Sequence, residues 1–152
     1  MSRDAAVTAA RAVADSVIWC VLATVGPDGT PRTRIVHPVW DWDEGVGWIA
    51  SRPTPLRRRH LAAQPSVSCA YWSIEHEAYL DCRATWVPEA GKQAVWDRCS
   101  TAPPPLGFDP GPMFPGGASG DGFAPILLEP FRIRVGTAAD MAAGRFPEWW
   151  TA

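Results

Sequence analysis

"GWIASRPTPLRRRHLAAQPSVSCAYW" (residues 47–72) sets a short helix between two strands. "VGWIAS" (46–51) and "SVSCAYW" (66–72) are apolar runs of strand length, with β-branched and aromatic residues. Between them, Thr54 is placed to cap a helix and Pro55 to open it, a favoured pairing at a helix start. "LRRRHLAA" (56–63) continues the helix, and Pro65 stops it. So short a helix is an insertion in a β-structure.

Working outward gives the rest of that structure. Toward the N-terminus, "DWDEG" (41–45) is a turn, "TPRTRIVHPVW" (30–40) alternates as a strand, "GPDG" (26–29) is a turn, and "SVIWCVLATV" (16–25) is a buried strand. Ala-rich residues 3–15 suit a helix. Toward the C-terminus, "AYLDCRATWV" (78–87) is a strand, and "EAGKQAVWDRC" (89–99) is a helix with Ala90, Ala94 and Val95 on its apolar face. Residues 101–125 hold 7 Pro and 6 Gly, which breaks regular structure and predicts a long loop. "ILLEPFRIRV" (126–135) is the last strand, with Pro130 marking an edge or a bulge. The expectation is one mainly β domain over 1–152, a six-stranded antiparallel barrel with short helices inserted.

The composition narrows the function. A net charge of -2 argues against general nucleic-acid binding, single strands included. No run of about 18 uncharged apolar residues is present to span a membrane. The N-terminal segment carries acids and lacks a solid apolar stretch, so a cytoplasmic location is expected. Cys20, Cys69, Cys82 and Cys99 form no CxxC pair, so no metal site is expected; the first three read as small apolar strand residues. Thirteen Arg against one Lys is the bias of a GC-rich bacterial genome.

Arg57, Arg58 and Arg59 stand in the first turns of the central helix. A helix N-terminus offers free N–H groups and partial positive charge, a natural phosphate site. Three consecutive helical residues spread over about 200°, so they cannot all face one phosphate. Arg57, in the first turn, can bond a phosphate bidentately, and the arginines that turn away from it face solvent or a partner subunit.

Three stretches, "VLATVGPDGTPRTRIV" (21–36), residues 47–72 and "AYLDCRATWV" (78–87), together resemble the pyridoxamine-phosphate-oxidase-like family of FMN-binding split barrels. Within the second, the matching residues are Trp48, Thr54, Arg57, Leu61 and Gln64-Pro65. The resemblance implies an oxidoreductase that binds FMN noncovalently at a homodimer interface and acts on a small molecule. It implies phosphate contacts from Arg34, Thr54 and Arg57, and a flavin wall from Ile35, Val36, His37, Trp48, Ile49, Ala50 and Ser51. Glu77 stands where some members have a flavin-contacting glutamine. His37 is expected to be packed and hydrogen-bonded near the ring, and no catalytic residue is assigned. Gln64 replaces the family's Asn, and Leu56 replaces a second basic residue of the true pyridoxamine-phosphate oxidases, so vitamin B6 oxidation is not expected. Trp40, Trp42, Trp48, Trp149 and Trp150 are candidates for stacking on an aromatic substrate or for filling a dimer interface. Two alternatives stand beside FMN. One is a reductase using the deazaflavin coenzyme, whose polyglutamate tail suits Arg58 and Arg59. The other is a non-catalytic flavin- or haem-binding module, with His37, His60 and His76 as the available axial ligands.

Overall fold

His37 divides what the alternation pattern presents as a single strand. The computed structural model describes residues 1–147 and 149–152. In it, β1 (Cys20–Val25) pairs with β2 (Pro31–Val36), and β3 (Pro38–Asp41) pairs with β4 (Val46–Ile49). Both are antiparallel hairpins, as the turn residues require. α2 (Pro55–Ala63) leads to β5 (Ser66–Trp72) and β6 (His76–Trp86). A single 3-10 turn (Glu89–Gly91) precedes α3 (Lys92–Thr101), and the long loop then reaches β7 (Ile126–Thr137).

The strands follow the order β2-β1-β5-β6-β7-β4-β3. β2 and β3 lie at opposite ends of this path, yet only His37 separates them in sequence. Consecutive Cα atoms are about 3.8 Å apart, so the two sheet ends must meet. The sheet curls round and closes through a bent chain rather than a hydrogen-bonded ladder: a split barrel. Seven strands build it, and a two-residue β8 (Trp150–Thr151) adds to β7, so the expected count of six is corrected. The extra strand arises because the 30–40 segment serves both ends of the sheet.

One row of residues shows how the register fills the interior. Leu22 faces Cys69, Cys69 faces Leu80, and Leu80 faces Ile133, all buried. α1 (Arg3–Val17) presents Ala6, Ala10, Val13 and Ala14, a helical stripe, to this core. The helix runs into the segment expected to begin β1. Ile18 ends it with φ 69°, a costly angle for a β-branched residue, and turns the chain into Trp19. Pro130 lies beside a register shift in the β6–β7 ladder, the bulge expected of a strand proline.

A second core lies on the other side of β4. Val39, Val95, Cys99, Phe114, Ala118 and Phe123 pack there, with Trp48 and Trp96 at its margin. The loop after α3 therefore folds back on its own barrel. Among the described residues, no helix is long and apolar enough to cross a membrane.

Candidate functional site

α2 begins as its sequence predicts. The Thr54 hydroxyl accepts from the Arg57 backbone N–H at 3.3 Å, and Pro55 opens the helix. The Arg57 guanidinium donates to the Ser51 hydroxyl, and to the Arg52 carbonyl at 3.4 Å. Its Nε is buried with no hydrogen-bond partner. Burial, and then the charge of Arg34, lower the Arg57 pKa from its ordinary value. Arg34 donates to the Thr24 hydroxyl at 2.9 Å, and Thr24 is in turn hydrogen-bonded to His60 Nδ1 at 3.0 Å. Among the described residues, neither Arg34 nor Arg57 is ion-paired to a carboxylate. Two like charges, one with an unmet buried donor, make a site that an anion would stabilise.

Beside Arg57 opens a cleft of about 470 Å³, of the size that holds a small ligand. Ile35, Val36, Ile49 and Ala50 form an apolar wall, while Trp19, Phe108, Met113 and Phe114 stand around it. His37 sits between Trp19 and Phe108, with ring centroids 5.1 and 4.7 Å away. Its Nε2 lies 3.1 Å from the Leu106 carbonyl, an acceptor only, so Nε2 carries the proton. Burial lowers the His37 pKa below its usual 6.5. A smaller cavity of about 130 Å³ lies on the other side of His37, against α1 and Trp40. The wall can take a flat apolar group, and the arginine end can take a phosphate.

Of the residues singled out in sequence, Ile35, Val36, His37, Ile49, Ala50, Ser51, Thr54 and Arg57 border this cleft. Arg34 is not among the residues that line the cleft, though its charge acts on Arg57. Trp48 is placed elsewhere, because neighbouring strand residues face opposite sides. Ile49 enters the barrel core, while Trp48 lies under the Arg98 guanidinium, 4.3 Å from it, beside the second core. Glu77 is also outside the cleft wall, bonded to Arg134 at 3.5 Å and to the Tyr79 hydroxyl at 3.0 Å. The tryptophans expected around the site are elsewhere too. Trp40 and Trp42 stack on each other at 4.9 Å, Trp149 lies over Arg132, and Trp150 belongs to β8. Arg58 donates to the Pro53 carbonyl and Arg59 is exposed. His60 is buried and His76 half exposed, leaving His37 the one histidine at the cleft.

Sequence reasoning missed Trp19, Arg52, Phe108, Asp109, Met113 and Phe114. Arg52 clamps the loop to the cleft rim, donating to the Met113 carbonyl at 2.8 Å. The available signal was the length of the Pro/Gly loop together with its three large apolar residues at 108, 113 and 114.

No protein-family model matches the chain, and no curated protein matches it in sequence. Solved structures do match in shape. A protein related to general stress protein 26, of the pyridoxinephosphate oxidase family, from Clostridium acetobutylicum aligns over 99% of this chain and 96% of its own, with TM-score 0.76 and 8% identity. A pyridoxamine 5'-phosphate oxidase-related, FMN-binding protein from Nostoc punctiforme aligns over 86% and 79%, with TM-score 0.59 and 14% identity. An F420 reductase aligns over 82% and 94%, with TM-score 0.55 and 18% identity. At these identities the likeness is one of fold. The chain therefore has the split-barrel fold of the pyridoxamine 5'-phosphate oxidase-like proteins.

Proposed function

We propose that the protein is a cytoplasmic, FMN-dependent oxidoreductase acting on a small molecule. The observation that carries this reading is the buried, unpartnered Nε of Arg57 beside Arg34, at the end of an apolar cleft. A phosphate ester on a flat ring fits both features at once. Thr54 and the first amides of α2 favour the same anion. Ile35, Val36, Ile49 and Ala50 supply an apolar face from which water is excluded. His37, with its Nε2 proton held by Leu106, orients as a fixed wall of the substrate side. FMN, when bound, supplies the two-electron chemistry; the protein supplies binding, orientation and dryness.

The reading includes a homodimer that completes the cleft. Ile35 borders the cleft and is exposed, and Val21 beside it in the ladder is exposed as well. An apolar cleft rim continuing onto an apolar outer face suits a second copy of the chain. The deazaflavin coenzyme is the second reading. It shares the phosphate chemistry, and the exposed Arg59 next to the site suits its acidic tail.

Anaerobic titration of the wild type and Arg57→Ala with FMN and with the deazaflavin tests both. FMN should bind the wild type more tightly, and Arg57→Ala should weaken it roughly ten- to a hundredfold, from losing about 1.5–3 kcal/mol of charge-assisted bonding. Arg59→Ala should leave FMN affinity unchanged. Tighter deazaflavin binding favours the second reading, and equal FMN affinity in Arg57→Ala removes the phosphate assignment.

A further inference from the structure

Arg34, on β2, acts on the charge of Arg57, and its guanidinium is held by a support. That support is a buried polar chain. Thr24 and His60 are 1% and 4% exposed, two of the buried polar side chains among the described residues. Arg34 Nη1 donates to Thr24 Oγ1 at 2.9 Å. A hydroxyl has one hydrogen, and with Arg34 donating to the oxygen, that hydrogen is free to point at His60 Nδ1, 3.0 Å away. Thr24 Oγ1 thus bonds both side chains. The other ring nitrogen of His60, Nε2, faces Gly26 in the β1–β2 turn, where a Cβ would come within 3.2 Å of it.

The polar chain links three elements, of which β2 and α2 also line the cleft. Thr24 is on β1, Arg34 on β2 and His60 on α2. His60 follows Arg57 by three residues, on the same side of the helix. One helix thus presents Arg57 to the cleft directly and, through His60 and Thr24, sets the side chain of Arg34. A buried hydroxyl and imidazole are costly unless bonded, so their mutual bond has a structural use; the bond to Arg34 carries the chain out to a charged group.

We propose that Thr24 and His60 are positioning residues of the anion site: they aim Arg34 so that its charge acts together with Arg57 on a phosphate group. This rests on the cofactor reading above. The role differs from plain core packing in what it affects. Packing alone would change the affinity for the whole ligand, whereas aiming Arg34 changes only the part due to the phosphate.

Equilibrium binding of FMN and of riboflavin, which has the same ring and no phosphate, separates these effects. Thr24→Val keeps the side-chain shape and removes the hydroxyl. It should lower the preference for FMN over riboflavin by roughly three- to tenfold, with riboflavin affinity unchanged. Thr24→Ser, which restores the hydroxyl, should restore the preference. His60→Leu should reproduce the loss, and supplies the same readout where Thr24→Val does not fold. A wild type that prefers FMN, with the preference intact in Thr24→Val or His60→Leu, overturns the positioning role alone. A wild type with no preference for FMN over riboflavin overturns the cofactor reading and this inference together.

Discussion

His37 is held on three sides, by Trp19, Phe108 and the Leu106 carbonyl, and this gives it a measurable signature. Burial disfavours the charged imidazolium, so the folded-state pKa lies below the ordinary 6.5. Above 6.5, neither folded nor unfolded protein holds this proton, and the contribution to stability is complete. As pH falls below 6.5, the unfolded chain takes up the proton first, and stability declines until the folded-state pKa is passed. Urea denaturation between pH 7.5 and 5 should therefore show a decline in the wild type that is reduced in His37→Gln, which retains a donor for Leu106. The lowered carboxylates, Asp28, Asp41 and Asp140, lose their protection below this range, starting from an ordinary 3.8, so they do not mask it. Parallel curves for the two proteins would show that His37 is not desolvated.

At the scale of elements, the loop between α3 and β7 decides the shape of the cleft. It leaves α3 through a close backbone crossing. The Gly107 N–H donates to the Pro103 carbonyl at 3.1 Å, and the Phe108 N–H to the Cys99 carbonyl at 2.8 Å. A Cβ on Gly107 would stand 2.1 Å from the Ala102 carbonyl oxygen and 2.7 Å from that of Cys99. These are backbone atoms that cannot turn aside. Gly107→Ala should thus displace the loop, at a cost of about 1–3 kcal/mol, the range for overpacking a tight site. Since Phe108 follows directly and packs on His37, binding in the cleft should weaken as thermal stability falls. Unchanged melting temperature and unchanged ligand affinity would show that the loop does not form this wall.

At the scale of the whole molecule, the outer face of β2, β1 and β5 is unusually apolar. Val21 lies between Ile35 on β2 and Ala70 on β5, and Trp72 and Ile74 are exposed at the end of β5. Trp19, also exposed, joins this face to the cleft. A patch of this kind is a usual mark of an interface, and two-fold dimers are the commonest assembly. Light scattering at micromolar concentration should give about twice the chain mass of 16.5 kDa. Trp72→Asp, which puts a charge in the face without touching the cleft lining, should shift the protein toward the single-chain mass. A wild type at 16.5 kDa would refute the shared site.

Features that depend on near neighbours were legible in the residues alone. Thr54 capping Arg57, Pro55 opening α2, and Pro130 at a bulge are each decided within a few residues, and strand alternation is equally local. Helix geometry shows only that Arg57, Arg58 and Arg59 cannot all face one ligand; the resemblance singled out Arg57. The resemblance extended this to Ile35, Val36, Ile49, Ala50 and Ser51, which the fold gathers around one cleft. Which tryptophan stands at that cleft follows from long-range packing. Trp19 precedes β1 and Trp48 lies within β4, and the elements packed around them give one to the cleft and the other to a second core. Long-range packing also split residues 30–40 at His37, because a bend there depends on partners at both ends of the sheet rather than on the residue itself. Phe108, Met113 and Phe114 come to the cleft from a loop more than fifty residues beyond α2's first turn, and Thr24 meets His60 across 36 positions. Such contacts form when the barrel closes, and no local pattern of residue types encodes them.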